Sequence, residues 1–525
     1  MNKILPFFSE QKLYLISLII SSYVFTFYSG FRGVSPLDSF LIFDAGFKIL
    51  NDFHPFKDYW SITGPFLDYI QALIFYIFNV NWFSYVLHAF ILNTILTFAT
   101  FYFFSTIGLK KNFSFIYSLS ISILAYPSVG TPFMDHHANI LSLISAMVFI
   151  LALQKKNNSY WFILPTLLVM SFFSKQIPSV FFGLFFITIL FFLLYFQKLK
   201  DLKPVFFFSC GSVFIISIIF LLIYLNEIPI SNILLQYFYY PISIGESRNN
   251  NLILDFKNTF LQFKFIYISI IPLIFVVYIL IVKKNKFFFF SSDFATLITL
   301  FVSVFIFIYS QLLTKNQILI FFIIPFYIGM SHYFVNKYYK KEYIVFFLFF
   351  ILIISTVKFH SRFNVDKKFM DLENTNLKIG IDGKNLDPNL KSLNWITPLF
   401  PKDPLLEIEL LKDTKSQIIN ENNNSIIITD YQILSFLVNS KKFSPNKWFD
   451  DLSVPNKKNK YFQEYKTFFL EKLKNENISV IFIVGLNKEN YLDDIFFEKS
   501  CLSKKNINRL TKKIDISKCN FLKSL

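Results

Sequence analysis

Four carboxylates stand close together in SPLDSFLIFDAGFKILNDFHPFKDYW, residues 35–60: Asp38, Asp44, Asp52 and Asp58, set among aromatic residues. They follow directly on LYLISLIISSYVFTFYSG, residues 13–30, a run with no charge. Acids beside apolar surface are costly unless a cation or a reacting group meets them, so this stretch is the first candidate for chemistry. The second is TPFMDHHANI, residues 131–140, where Asp135, His136 and His137 offer carboxylate and imidazole ligands for a divalent metal such as Mg, Mn or Zn. Adjacent helical histidines point about 100° apart, so the same residues serve equally as hydrogen-bonding groups at a helix start, with Asp135 as its cap. The third is SFFSKQIPSV, residues 171–180. Lys175 and Gln176 there suit a lipid phosphate, although a lysine that ends a membrane span by snorkelling leaves the same trace. Lys57 beside Asp58, Arg248 in GESRNN and Lys315 in LLTKNQ are further cations for such a group.

These residues need elements to hold them, and the composition says which kind. The chain has 525 residues, 54% of them hydrophobic and only 16% charged. An ordinary soluble protein has roughly 25% charged residues. Uncharged runs of about 15 to 20 residues recur, close to the length that spans a bilayer as a helix. Eleven spans are expected, over 13–30, 83–108, 113–129, 138–153, 160–174, 178–196, 204–225, 265–282, 287–309, 318–335 and 343–357. The fold expected is thus a polytopic α-helical membrane protein. The N-terminal run has no small-residue cleavage site and reads as a retained helix.

Alternate connections hold fifteen lysines, from Lys3 and Lys12 through Lys110–Lys111, Lys155–Lys156 and Lys198–Lys203 to Lys283–Lys286 and Lys337–Lys341. The positive-inside rule places these in the cytoplasm and the C-terminus outside. It also gathers the three candidate sites on the outer face. Residues 38–51 and 65–79 have helical apolar spacing with polar interruptions and read as helices along the interface. Tyr59, Trp60, Trp82 and Tyr126 are expected as aromatic anchors at that level. The domain division expected is a membrane domain over 1–358 and a soluble extracytoplasmic α/β domain over 359–525. Within the latter, 425–432 and 477–486 read as buried strands and 461–477 as the helix leading into the second. Cys501 and Cys519 would pair if that end lies outside, and Cys210 reads as a small apolar residue. The formal charge of +17 is split among short clusters and points to no nucleic-acid partner. Gly-rich phosphate loops, serine-nucleophile elbows and Cys-x-x-Cys pairs are missing from the sequence, which leaves nucleotide chemistry unsupported.

The first loop, with Asp38 and Asp44 ahead of Pro55-Phe56, Asp58, Gly64-Pro65 and Tyr69, resembles the GT-C membrane glycosyltransferases. These include the protein O-mannosyltransferases and the lipid A aminoarabinose transferases (glycosyltransferase family 39-like). The resemblance covers residues 10–200 by motif and the remainder by layout. It implies a polyprenyl-phosphate sugar as donor and an extracytoplasmic acceptor, whether lipopolysaccharide, cell-surface glycan or protein. It also implies a single inverting displacement at the plasma membrane. Asp38 falls where the family keeps its catalytic base, Asp135 where it keeps a second acid, and Lys175 where it keeps a cation. Glutamate often follows the family's aspartate and Ser39 stands here, which leaves Asp44 as a rival base. Lys57, Asp58, Gln176 and Arg248 would bind phosphate or acceptor. A transporter or flippase for lipid-linked saccharides, or a ligase moving whole glycans as in O-antigen attachment, would share much of this layout.

Overall fold

The computed structural model describes residues 11–155, 157–196, 202–250, 252–282, 291–314, 319–439, 442–450, 452–485, 492, 495 and 501–519. Lys315 lies outside the described residues. The chain divides into two compact units, one of residues 1–30, 89–221 and 248–369, the other of residues 31–88, 222–247 and 370–525.

Among the described residues seven helices are long and apolar enough to cross a membrane: Lys12–Gly30, Trp82–Ile107, Met134–Lys155, Lys203–Leu225, Lys264–Val282, Ser292–Leu313 and Glu342–Met370. The other four expected spans also hold helices, but these are shorter or interrupted. Lys111–Leu124 gives way to a 3-10 turn at Tyr126–Ser128 that contains Pro127. A 3-10 turn at Phe321–Ile323 precedes Ile324–Tyr338. Asn158–Phe172 has 15 residues. Gln176–Phe196 is broken at Ile177, which is extended because a residue before proline is driven out of the helical region. The chain is an integral membrane protein.

Within the first unit the helix ends sort into two sets. In one, Tyr14 donates to Asn112 at 2.5 Å, the Tyr102 and Tyr160 hydroxyls meet at 2.9 Å, Gln154 donates to Thr296 at 3.3 Å and Lys337 pairs with Asp293 at 2.6 Å. Lys12, Lys110, Lys111 and Lys155 belong to the same ends. In the other, Lys367 donates to the Ser29 carbonyl at 2.8 Å and Asn364 to the Ile123 carbonyl at 2.8 Å. Gly130 there has φ +78°, and a Cβ on it would sit 2.7 Å from the Gly30 nitrogen, so both conformation and space demand glycine. The described lysines Lys12, Lys110, Lys111, Lys155 and Lys337 therefore lie at one set of helix ends.

The second unit is built on a four-stranded sheet. Strands β1 (Ile381–Asp382) and β2 (Asn394–Trp395) pair as a short ribbon, and β3 (Ser425–Thr429), β4 (Val480–Val484), β5 (Ser503–Asn506) and β6 (Thr511–Asp515) form the sheet in the order β3-β4-β6-β5. Only β3 and β4 run parallel, and their crossover carries the helix Phe462–Asn475. Every residue of β3 and β4 is buried, which explains why they read as continuous apolar runs rather than alternating ones. Cys501 and Cys519 are disulfide-bonded, while Cys210 is free and half-buried. The first loop belongs to this unit. Its helices are Pro36–Ser39, Leu41–Leu50 and Phe66–Phe78, close to the expected stretches. Its Trp60 enters the core with Tyr240, Ile428, Tyr465 and Phe469.

Candidate active site

Residues 31–34 are held by the C-terminal segment as if by a strand. Gly33 N–H donates to the Asn394 carbonyl at 3.0 Å, Val34 N–H to the Ile396 carbonyl at 3.1 Å, and Asn394 N–H returns a bond to Phe31 at 2.9 Å. Asp38 follows on the single helical turn Pro36–Ser39 and is half-buried. Asp44, two turns on, is 1% exposed. Its carboxylate meets Lys48, four residues along the same helix face, at 2.7 Å. Burial pushes the Asp44 carboxyl above the usual range, and Lys48 and Ser435 work against that shift.

The charge continues inward. Lys48 lies over the Tyr59 ring at 4.6 Å, and the Tyr59 hydroxyl donates to Asp68 at 3.5 Å. Asp68 takes two bonds from Lys447, at 2.7 and 2.8 Å, with neither side chain more than 3% exposed. Burial raises the Asp68 carboxyl and lowers the Lys447 ammonium, each opposed by its partner. Asp44, Lys48, Asp68 and Lys447 thus alternate in sign through the unit, and no acceptor can reach these carboxylates in this conformation.

The remaining first-loop acids are placed differently. Asp58 accepts the His54 N–H at 2.8 Å and pairs with Lys472 at 3.0 Å. Lys57 turns to the Asn226 carbonyl at 3.1 Å and to Glu227 at 3.4 Å. Both therefore tie the loop to its own unit. Asp52 is exposed, with φ at 62°. Tyr59, Trp60 and Trp82, expected as interfacial anchors, are instead core residues, at most 1% exposed. Trp60 spends its indole N–H on the Ser453 carbonyl at 3.1 Å, a partner almost 400 positions away that no local pattern announces.

In the first unit, Asp135 opens the helix Met134–Lys155 and accepts from Lys175 at 2.5 Å. The two side chains are 12% and 20% exposed. Gln176 beside them is half-buried, and so is Arg248 in the last turn of Tyr240–Asn250. His136 and Ser128 share a hydrogen bond at 2.7 Å, and His137 shares one with Tyr126 at 2.5 Å. Tyr126 also accepts the Phe133 N–H at 2.8 Å and is fully buried, so it braces the turn instead of anchoring at an interface. Among the described residues no group of three or more His, Cys, Asp or Glu side chains gathers to hold a metal. Asp135, His136 and His137 are consecutive yet do not converge, as the 100° stagger of helical neighbours requires. The donor set does not fit a metal ion, and no step below passes through one.

Lys48 went unnoticed in the sequence, although its i, i+4 spacing from Asp44 is the signal that would have found the pair. Asp68 and Lys447 escaped the sequence reading because 379 positions separate them.

No family model matches this chain, and no curated protein matches it. Among solved structures it is similar to the archaeal oligosaccharyltransferase AglB from Archaeoglobus fulgidus, in complex with an inhibitory peptide and a dolichol-phosphate. Identity there is 11%, over 90% of this chain and 70% of that one, with a TM-score of 0.47. It is also similar to the Archaeoglobus fulgidus oligosaccharyltransferase complex with zinc and sulfate, at 11% identity over 90% and 68% of the two chains, with a TM-score of 0.30. Both scores lie below 0.5, and these likenesses carry no weight in the functional reading.

Proposed function

We propose that this chain is an integral membrane glycosyltransferase of the GT-C kind, moving a sugar from a polyprenyl-phosphate carrier to an acceptor outside the cytoplasm. One observation carries the assignment of its base. Asp44 and Asp68 are fully buried, whereas Asp38 is half-buried on a short turn at the position the sequence motif marks. A hydroxyl is a poor nucleophile, and a carboxylate that takes its proton as the new bond forms is the ordinary remedy.

The acceptor oxygen attacks the anomeric carbon while the bond from that carbon to the phosphate oxygen breaks. Asp38 receives the acceptor's proton, and polyprenyl phosphate leaves with the bonding pair. One displacement inverts the anomeric centre. The negative charge growing on the phosphate calls for a cation. The sequence resemblance gives that role to Lys175, whose counter-ion is Asp135, with Gln176 as an amide donor and Arg248 as a second cation. The C-terminal disulfide suits an oxidising compartment, and the lysine-bearing connections suit the cytoplasm, which supports an outer position for Asp38. Lipid A, cell-surface glycans and proteins are the acceptor classes to assay.

The deciding experiment measures transfer from labelled polyprenyl-phosphate sugar in membranes carrying Asp38→Asn, Asp44→Asn or Asp135→Asn. Asp38→Asn should lose at least about a hundredfold in rate. Asp44→Asn should keep measurable turnover, with loss of stability instead. Full activity in Asp38→Asn rejects the mechanism.

A further inference from the structure

The turn that carries Asp38 has four residues and no side-chain N-cap bond. Isolated helices far longer than this are marginal, so its geometry has to come from its surroundings. Some of the bracing is local to the loop. The Ser39 hydroxyl accepts the Ser35 N–H at 3.0 Å, and the Tyr85 hydroxyl donates to the Ser39 carbonyl at 2.7 Å. The rest comes from Phe40, the joint between Pro36–Ser39 and Leu41–Leu50. Its ring stacks on Trp395 with centroids 5.6 Å apart and planes at 19°, and meets the edge of Trp82 at 6.1 Å.

Trp395 is fixed in turn by a buried carboxylate. Its indole N–H donates to Glu407 at 3.0 Å, while Thr397 donates at 2.9 Å and Tyr431 at 2.5 Å. Glu407 has no exposed surface, and three neutral donors surround it. A buried carboxylate is tolerable only while its acceptors are filled, so losing one donor is costly and the indole is locked in one rotamer. A plain packing role would need only a large apolar residue at 395. A tryptophan whose N–H is committed to a buried acid, and whose face lies against the residue two positions from the candidate base, is more than filler.

We infer that Trp395, locked by Glu407, is a positioning residue for Asp38, so that the C-terminal segment sets the aim of the base. This rests on the glycosyltransferase reading above. Misplacing a reacting group by about 1 Å costs on the order of a hundredfold in rate, so loss of the stack should appear in kcat and not in donor affinity.

Trp395→Leu and Trp395→Phe are compared in the full-length protein. Two quantities are read: kcat with donor KM, and hydrogen exchange of the 35–44 amides against those of β3 and β4. Trp395→Phe keeps a ring against Phe40 but gives up the N–H that Glu407 accepts, so its kcat should fall between wild type and Trp395→Leu, with a loss of about threefold or more. Trp395→Leu should lose at least about tenfold in kcat, with KM within about twofold, and faster exchange at 35–44 only. If Trp395→Leu fails to fold, Phe40→Leu makes the same test from the other side and leaves Glu407 untouched. Wild-type kcat in Trp395→Leu or Phe40→Leu overturns the inference, and so does unchanged exchange at 35–44. If the wild-type chain transfers no sugar, the enzyme reading fails on its own account. The exchange data then still decide whether Trp395 holds the turn.

Discussion

Removing the ammonium from the Asp68–Lys447 pair tests how the second unit is held together. In Lys447→Met, Asp68 loses bonds of 2.7 and 2.8 Å while staying fully buried. Breaking one side of a buried ion pair typically costs about 3–5 kcal/mol. Protonation sets a ceiling on that loss. A carboxyl with an ordinary value of 3.8 can be neutralised at pH 7 for about 4 kcal/mol, and at pH 5 for under about 2 kcal/mol. Lys48 also acts on Asp68, which moves the expectation toward the lower half of the range. For a unit of this size roughly 2–4 °C accompanies each kcal/mol, so Lys447→Met should melt roughly 6–16 °C below wild type at pH 7. The gap should shrink as the pH falls to 5, because the variant's Asp68 then takes up a proton cheaply. Asp68→Leu combined with Lys447→Met should recover most of the loss, since no buried charge remains. Thermal unfolding of the purified protein in detergent, followed by tryptophan fluorescence, makes the measurement. A Lys447→Met transition within about 2 °C of wild type at pH 7 would refute the argument.

Other outcomes follow from the same structure. Cys501→Ser should lose about 3 kcal/mol in thermal unfolding, the usual value for a closed loop near 18 residues, and a thiol-alkylation gel shift should find the wild-type pair oxidised. Burial raises the Glu407 carboxyl above its ordinary 4.5, against the pull of its three donors. The native state then holds a proton that the unfolded chain has released, so this group's contribution is complete below 4.5 and is lost as the pH rises through its folded value. Glu407→Gln should flatten that part of the stability profile; an unaltered profile would assign the slope elsewhere. In a Cys210→Ala background, an impermeant maleimide added outside intact cells should label Asn385→Cys and not Asn157→Cys. Labelling of Asn157→Cys alone would invert the topology.

The membrane helices were legible because a helix that must satisfy its own backbone in lipid leaves a long uncharged run. Strands β3 and β4 and the helix Phe462–Asn475 were legible for a similar reason, since complete burial writes itself as composition. Shortened spans were not. The 3-10 turns at Tyr126–Ser128 and Phe321–Ile323 lie inside apolar runs, and only Pro127 and Pro325 hint at where a helix stops or starts. The site divides in the same way. Asp38, Asp44, Asp135 and Lys175 are conspicuous because polar residues are rare here, yet their partners are visible only when close in sequence. Lys48 is four residues from Asp44, whereas Lys175 is 40 from Asp135 and Lys472 is 414 from Asp58. Aromatic type also misleads in a chain with 28 Tyr and 74 Phe, since burial and interfacial anchoring select the same residues.

The first loop and the C-terminal segment share a core, and that has a consequence for any attempt to separate them. Trp60 packs at 5.0 Å against Tyr465, Lys447 N–H donates to the Trp60 carbonyl at 2.9 Å, and Asp68 neutralises Lys447. Expressed alone, residues 370–525 would lack Trp60, Tyr59 and Phe40, and Lys447 would lose the Asp68 carboxylate. Loss of one large buried aromatic costs about 3–5 kcal/mol, and three leave together. Together these approach the whole stability of an ordinary domain, about 5–15 kcal/mol. The isolated segment should therefore show poor dispersion in its amide NMR spectrum and rapid proteolysis. A fusion of residues 31–88 to 370–525 through a flexible linker should recover protection. A well-dispersed spectrum from 370–525 alone would mean that the sheet carries its own fold and that the loop merely rests on it.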